Sequence, residues 1–167
     1  MDYVGLKWYK CDFHMHTMCS KCYKEQSDTP DMWVDAVKKS GIQCVAITDH
    51  NDYHGINEIK KLCEDNGIIV FPGVELSCSD SKIHMLILFD YKCDETDVQE
   101  FLFSVGLTKD DLGESGRTCD GTIFDVCEKA KKKEALVIAA HIDEFSGINE
   151  LSHDNLKQLL DREYISA

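Results

Sequence analysis

The sequence of 167 residues lacks the features that mark membrane, exported and repeat proteins. It contains no run of about 18 apolar residues, so we expect no membrane-spanning helix. Residues 1–10 have no apolar core of the signal-peptide type, which argues against export. No internal repeat or low-complexity linker divides the chain, and we therefore predict a single domain over residues 1–167.

Positive charge is scarce: 18 lysine and arginine residues stand against 31 aspartate and glutamate residues, and the formal net charge is −13. Such a surface repels phosphate backbones, so tight binding of nucleic acid through charge alone is disfavoured. Two or three bound divalent cations would offset about four to six of these negative charges. Solvated acidic faces account for the same excess without a metal, and they are the simpler explanation.

A second C-x-x-C pair is also missing. Among nine cysteines, Cys19 and Cys22 form the only such pair, and a structural zinc site normally needs two. We interpret both as unpaired loop thiols, with a zinc site as the alternative. An odd cysteine count without a signal peptide argues against a disulfide framework and predicts a reduced, cytoplasmic protein. Cys44, Cys63 and Cys127 lie in apolar patterns, which predicts small core residues.

Short apolar runs alternate with amphipathic segments along the chain. Strands are predicted at residues 8–13, 43–48, 68–71, 83–89 and 135–140, and helices at 30–40, 54–66, 95–105, 122–133 and 152–160. Thr29 before Pro30 is the expected N-cap of the first helix, and Ser152 that of the last. Such alternation is typical of parallel β/α units, and a closed barrel of eight units needs about 250 residues. We therefore predict an α/β fold, an incomplete or distorted β/α barrel of about five parallel strands alternating with helices.

Six residues of metal-ligand type lie at the predicted strand ends: His14, His16, His50, Glu75, His84 and His141. His14 and His16 are two residues apart, so on a strand their side chains point the same way. Active sites of parallel β/α proteins lie at the carboxyl ends of the strands. A single histidine in such a place is more often structural, but six ligand-type residues in one topological position predict a metal centre. His54 and His153 lie at helix starts, where capping or solvent exposure accounts for them.

The segments that carry these residues resemble the PHP (polymerase and histidinol phosphatase) superfamily. The resemblance rests on residues 12–17 (DFHMHT), 47–51 (ITDHN), 72–75 (PGVE), His84 and 140–141 (AH). Their order and spacing match the first four motifs of that family over residues 9 to about 145. Residues 8–12 (WYKCD) and 141–145 (HIDEF) are similar to the PHP module at the N-terminus of large bacterial SMC-like ATPases.

The resemblance implies a distorted, TIM-like β/α barrel with two or three divalent metals, which the mixed ligands suggest are Mn, Zn or Fe. It implies that His14, His16 and Glu75 hold the first metal. Glu75 then bridges to a second metal, which His84 and His141 complete. Glu75, His14 and His141 are the predicted catalytic residues.

The same resemblance places His50 in a third metal site. Asp12 and Asp49 adjoin ligands, and we expect them to orient imidazoles, with strand-end solvation or loop capping as the alternative. Two family features are missing. An acidic residue often follows the H-x-H-T segment in the family, where this chain has Ser20 and then Lys21. A late Asp-x-His pair is also absent, which predicts either a chain truncated before that motif or loss of the motif.

Together these observations predict a metal-dependent phosphoesterase that hydrolyses phosphomono- or phosphodiesters with a metal-activated water. The expected substrate is a phosphorylated small molecule, a nucleotide or a nucleic-acid end. The alternative is a metal-binding, weakly active regulatory or interaction module of a larger ATPase or defence protein, working with a C-terminal ATPase region or partner. A third hypothesis is a thiol enzyme that uses Cys19 or Cys22 with a histidine, and it predicts activity that survives chelation.

Overall fold

The computed structural model describes residues 6–166, so residues 1–5 and 167, at the ends of the predicted domain, lie outside the described residues. Within this range, one sheet contains five strands whose spatial order follows the chain: β1 (Cys11–Met15), β2 (Cys44–Ile47), β3 (Ile69–Ser77), β4 (His84–Leu88) and β5 (Leu136–Ala139). The helices are α1 (Pro30–Lys39), α2 (Ile56–Asp65), α3 (Glu95–Ser104), α4 (Ile123–Lys132) and α5 (His153–Asp161). The predicted α/β class is confirmed, and the sheet is a half-barrel compatible with a distorted barrel.

The prediction that all strands run parallel is wrong. β1, β2 and β3 pair in parallel, but β4 pairs antiparallel to β3, and β5 pairs antiparallel to β4. The reason is the short connection at residues 78–83, because a parallel return needs a crossover of about a dozen residues or more. β5 reverses again and so runs in the same direction as β1, β2 and β3. The carboxyl ends of these four strands therefore lie at one sheet edge, and the antiparallel β4 begins at that edge.

The helices begin where a side chain can accept a hydrogen bond from a free backbone N–H group. Thr29 caps α1, with Pro30 as its first residue, and Ser152 caps α5, as predicted. Thr122 and Asp125 form a reciprocal capping box at the start of α4. Within residues 6–166, no helix combines the length and apolar character needed to cross a membrane.

The sheet separates a large core from a small one, because alternate residues of a strand point to opposite faces. Met85 and Ile87 of β4 pack in the large core with the helices. Leu86 and Leu88 pack on the other face in a small cluster with Ala46. The larger core therefore lies on the helical side of the sheet.

The buried cysteines belong to this core. Cys44, Cys63 and Cys127 are 6%, 0% and 0% exposed, which confirms the prediction that they are core residues. Cys19 is half-buried and Cys22 is exposed, and all nine cysteines are free thiols.

Candidate metal centre

Glu75 lies at the centre of the site, and its side chain is only 1% exposed. The prediction that Glu75 ends the third strand is wrong: β3 continues to Ser77, because residues 73–77 pair with β4. The Glu75 backbone N–H donates to Asp49 O at 3.1 Å, and Glu75 O accepts from the Asn51 N–H at 3.1 Å. The carboxylate is thus fixed between β4 and the segment that follows β2.

Three imidazole rings face the Glu75 oxygen Oε2, and we call His14, His16 and His50 the Oε2 side. Their Nε2 atoms lie 3.0, 3.1 and 3.4 Å from Oε2, respectively. His14 belongs to β1, His16 directly follows it, and His50 lies beyond β2. The rings of His16 and His50 stack with their centroids 4.7 Å apart.

Two further rings face the other oxygen, and we call His84 and His141 the Oε1 side. His84 Nδ1 lies 2.8 Å from Oε1, and His141 Nε2 lies 2.9 Å from it. These two ring nitrogens are 3.2 Å apart. His84 is the first residue of β4 and His141 follows β5, so the reversal of β4 delivers its first residue to the same edge.

The backbone at His141 adopts an uncommon conformation. Its φ angle is +24°, a region that residues other than glycine rarely occupy. The turn is also tight, because a Cβ atom added at Gly147 would lie 2.5 Å from His141 O. A strained turn that delivers a ligand-type side chain to a cluster is the pattern expected of a functional site.

The cluster changes the ionisation of its members. Burial alone would raise the pKa of Glu75, but hydrogen bonds with His14, His16 and His84 outweigh it and hold that pKa well below its usual range. The hydrogen bond to Glu75 raises the pKa of His14 against the opposing effect of burial. Burial lowers the pKa of His50 to about 4. Near pH 7, Glu75 is therefore an anion and His50 a neutral ring.

These residues fit divalent cations. Five ring nitrogens converge on one carboxylate, which offers only about four lone-pair directions. Nδ1 of His50 and Nδ1 of His141 are buried without a hydrogen-bond partner among the described residues, a cost that nearby ions or waters would offset. Imidazole and carboxylate ligands suit Mn, Fe and Zn. Two triads that include Glu75 have ligand atoms that all lie within 4.8 Å of one another: His14, His16 and Glu75, and His50, Glu75 and His84.

Asp12 and Asp49 hold the backbone beside two of the rings. Asp12 Oδ1 accepts a hydrogen bond from the His14 backbone N–H at 3.1 Å. Asp49 is 1% exposed and accepts from the Thr17 N–H and hydroxyl, both at 2.6 Å. Its Oδ1 lies 3.9 Å from His16 Nδ1. That either aspartate orients an imidazole stays a prediction.

A model of the PHP domain matches residues 12–164 of the chain. The chain belongs to the PHP domain family. The match covers every residue of the Oε1 and Oε2 sides together with Glu75. The similarity to the module of SMC-like ATPases stays a prediction.

Among curated proteins, the PHP domain is similar to MJ1587 of Methanocaldococcus jannaschii, with 37% identity over 86 residues. The aligned region is 47% of this chain and 50% of that protein. The chain therefore matches about half the length of this relative.

Solved structures share the fold at low identity. A two-domain protein of Bacteroides vulgatus, described as containing a predicted PHP-like metal-dependent phosphoesterase, has a TM-score of 0.63 at 18% identity over 94% of this chain and 42% of that chain. A proposed metal-dependent phosphoesterase of Bifidobacterium adolescentis has a TM-score of 0.68 at 17% identity over 94% and 75% of the two chains. An amidohydrolase of Chromobacterium violaceum with bound sulfate has a TM-score of 0.62 at 14% identity over 92% and 72%.

Two further histidines of the PHP domain, His54 and His153, have exposed side chains that contact neighbouring aspartates and not Glu75. The His54 ring is 57% exposed, and its Nδ1 lies 2.6 Å from Asp52 Oδ1. The His153 side chain is 91% exposed.

Two residues that are not among the predicted site residues, Ser20 and Cys22, lie beside the Oε2 side. Ser20 is fully buried, its hydroxyl accepts the His50 backbone N–H at 2.8 Å, and it lies 3.2 Å from His16 Nδ1. Cys22 offers a sulfur within 4.8 Å of ligand nitrogens of His16 and His50. Both residues follow the H-x-H segment closely in the sequence, and this short spacing is the only sequence signal for them. The turn that brings them to His50 is a tertiary feature, which the sequence pattern does not reveal.

Proposed function

We propose that this PHP domain hydrolyses phosphomono- or phosphodiesters at the cluster around Glu75. The observation that carries the proposal is the convergence of five imidazoles on one buried carboxylate at a single edge of the sheet. The family membership and the fold shared with proposed metal-dependent phosphoesterases support it. A broader assignment, that of a metal-dependent hydrolase, also accommodates the amidohydrolase that shares the fold.

Two or three divalent ions of Mn, Zn or Fe, held by His14, His16, His50, Glu75, His84 and His141, would supply a water deprotonated near neutral pH and positive charge for the phosphoryl oxygens. The chain's own contribution is placement. Glu75 directs one carboxylate oxygen to each side of the centre. The spacing of these two oxygens therefore sets the distance between the two groups of imidazoles. His14 and His141 lie on opposite sides, with ring centroids 5.7 Å apart, and they are the proposed catalytic partners of Glu75.

A cavity of about 370 Å³ adjoins the Oε1 side and suits a phosphoryl group. Lys82 and His84 line it together with the hydroxyl residues Ser115, Thr118 and Ser146. These groups supply one positive charge and several hydrogen-bond donors, which complement phosphate oxygens. We propose that the phosphoryl group enters here. The net charge of −13 disfavours a long nucleic acid, so we propose a phosphorylated small molecule, a nucleotide or a nucleic-acid end as the substrate.

A metal-binding, weakly active module of a larger ATPase or defence protein is the second candidate. It is favoured by one observation: Glu75 is the only carboxylate within the metal-type triads of the described residues. This candidate predicts bound metal with little or no hydrolysis.

The test is a phosphoesterase screen of the full chain with added Mn²⁺ or Zn²⁺, in parallel with EDTA and with direct metal analysis. Hydrolysis that needs metal and stops with EDTA supports the proposal. Metal bound at stoichiometric levels without hydrolysis of any ester class supports the second candidate. Hydrolysis that persists in EDTA with no bound metal would contradict both.

A further inference from the structure

A third triad of ligand-type atoms lies at the edge of the Oε2 side. The sulfur of Cys22 and ring nitrogens of His16 and His50 all lie within 4.8 Å of one another. A tetrahedral zinc ion with bonds of about 2.0–2.3 Å would bring such atoms to roughly 3.3–3.7 Å, a small adjustment for one exposed thiol. His50 is 7% exposed, and its Nδ1 has no hydrogen-bond partner among residues 6–166.

The backbone around Cys22 is anchored on both sides, so the thiol is not on a free loop. The Lys21 N–H donates to Gly113 O at 3.0 Å, and the Tyr23 N–H donates to Ser20 O at 3.0 Å. The Gln26 side chain donates to Ser20 O and to Tyr23 O, at 3.1 and 2.8 Å. These bonds fold residues 20–23 back over the turn that carries His16.

We propose that Cys22 is a metal ligand, whose thiolate binds a zinc-type ion together with His16 and His50. The inference rests on the metal centre of the proposed function and adds a ligand to it. This triad contains no carboxylate, so the thiolate would be its only negatively charged ligand. A thiolate supplies that charge, and it shifts the preference of this position from Mn²⁺ toward softer ions such as Zn²⁺ and Co²⁺.

His16 is common to this triad and to the triad with His14 and Glu75. It has two ring nitrogens, with Nε2 3.1 Å from Glu75 Oε2 and Nδ1 3.2 Å from Ser20 Oγ. Removing Cys22 therefore weakens one ion position without removing any contact of Glu75.

The experiment reconstitutes the metal-free full chain with Co²⁺ and records the thiolate-to-cobalt charge-transfer absorption in the near ultraviolet. We expect the cobalt band in the wild type and in Cys19→Ser, and we expect it to be absent in Cys22→Ser. When the chain is loaded with Zn²⁺ instead, Cys22→Ser should bind about one equivalent less than the wild type. Cys19 is the matched control, because it is the other member of the C-x-x-C pair and its sulfur lies beside Gly55. Alkylation adds a second readout: Zn²⁺ should protect Cys22 but not the exposed Cys11.

A band that persists in Cys22→Ser, or equal alkylation of Cys22 with and without Zn²⁺, would overturn the inference. Metal-loaded wild type without the band overturns this inference alone, whereas wild type that takes up no metal removes the whole proposed centre. Hydrolysis that survives EDTA and is lost in Cys22→Ser would instead identify a thiol nucleophile.

Discussion

The two sides of Glu75 are built differently. The Oε2 side takes three rings from β1 and from the segments after β1 and β2, where parallel strands end. The Oε1 side takes one ring from the start of β4 and one from the strained turn after β5. The six residues share one edge of the sheet, although the strands that carry them run in both directions. The position at this edge, and not the direction of the strand, therefore brings a ligand-type residue to the site.

The two sides also differ in their surroundings. Beside the Oε2 side, a cavity of about 400 Å³ is lined by Trp33, Val37 and Ile42 together with Asp12. Beside the Oε1 side, the cavity with Lys82 is lined by Phe145 and by four hydroxyl residues, Ser77, Ser115, Thr118 and Ser146. Of these two linings, only that of the Oε1 side includes a lysine, which is why we propose that the phosphoryl group enters there.

Glu75→Ala should have the largest effect, because it removes the group that the two sides share. We expect loss of bound metal on both sides and a fall in kcat of at least about 10³-fold, which corresponds to several kcal/mol. Metal analysis and turnover measure this, and circular dichroism checks that the chain still folds. Glu75→Gln, which keeps the shape, should lose metal as well; normal metal content and turnover in both variants would exclude the shared carboxylate.

Comparing His14→Ala with His141→Ala separates the two sides. Each variant should lose about one metal equivalent and at least about 10²-fold in kcat, while the opposite side stays loaded. The control is His153→Ala, on an exposed residue outside the cluster. If either histidine variant kept both its metal and its activity, that side would have no part in catalysis.

Asp49→Asn tests whether the support under the Oε2 side is structural. The buried carboxylate accepts two hydrogen bonds from Thr17 at 2.6 Å, so we expect a loss of about 2–3 kcal/mol in the free energy of unfolding. We also expect metal affinity to fall by roughly 10-fold or more. Urea denaturation and metal titration measure the two effects, with the exposed Asp35→Asn as control; a variant as stable as this control would refute the supporting role.

Lys82→Ala should have the smallest effect and test the phosphate cavity of the Oε1 side. Loss of one charged contact to phosphate should raise KM about fivefold, or about 1 kcal/mol, with kcat nearly unchanged. Steady-state kinetics measure the split between the two constants, and Lys157→Ala on α5 serves as control. An unchanged KM would place the phosphoryl group elsewhere.

The sequence predicts the helix starts and the positions of the strands, but it does not predict the direction of β4. Thr29 and Ser152 mark helix starts through local hydrogen bonding, and apolar runs predict all five strands. The reversal of β4 depends on the short connection at residues 78–83, which alternation alone does not reveal. The six ligand-type residues could be selected because each lies near a strand terminus, whichever way the strand runs.

The sequence raises Cys22 only as one of two loop thiols, with a zinc site or a thiol nucleophile as alternatives, and it does not place Cys22 beside His50. The turn that carries Cys22 is joined to the distant Gly113 by a hydrogen bond from the Lys21 N–H, and no local pattern encodes that contact. The extension of β3 past Glu75 has the same origin, because it is pairing with β4 that keeps residues 73–77 in the strand.

Anomalous diffraction from crystals of the full chain grown with Mn²⁺ or Zn²⁺ tests the central claim most directly. At least two ions should lie on opposite sides of the Glu75 carboxylate, each roughly 2.0–2.3 Å from its oxygen and nitrogen ligands. A map in which the five rings hold no ion, or in which metal binds only elsewhere on the surface, would contradict the account.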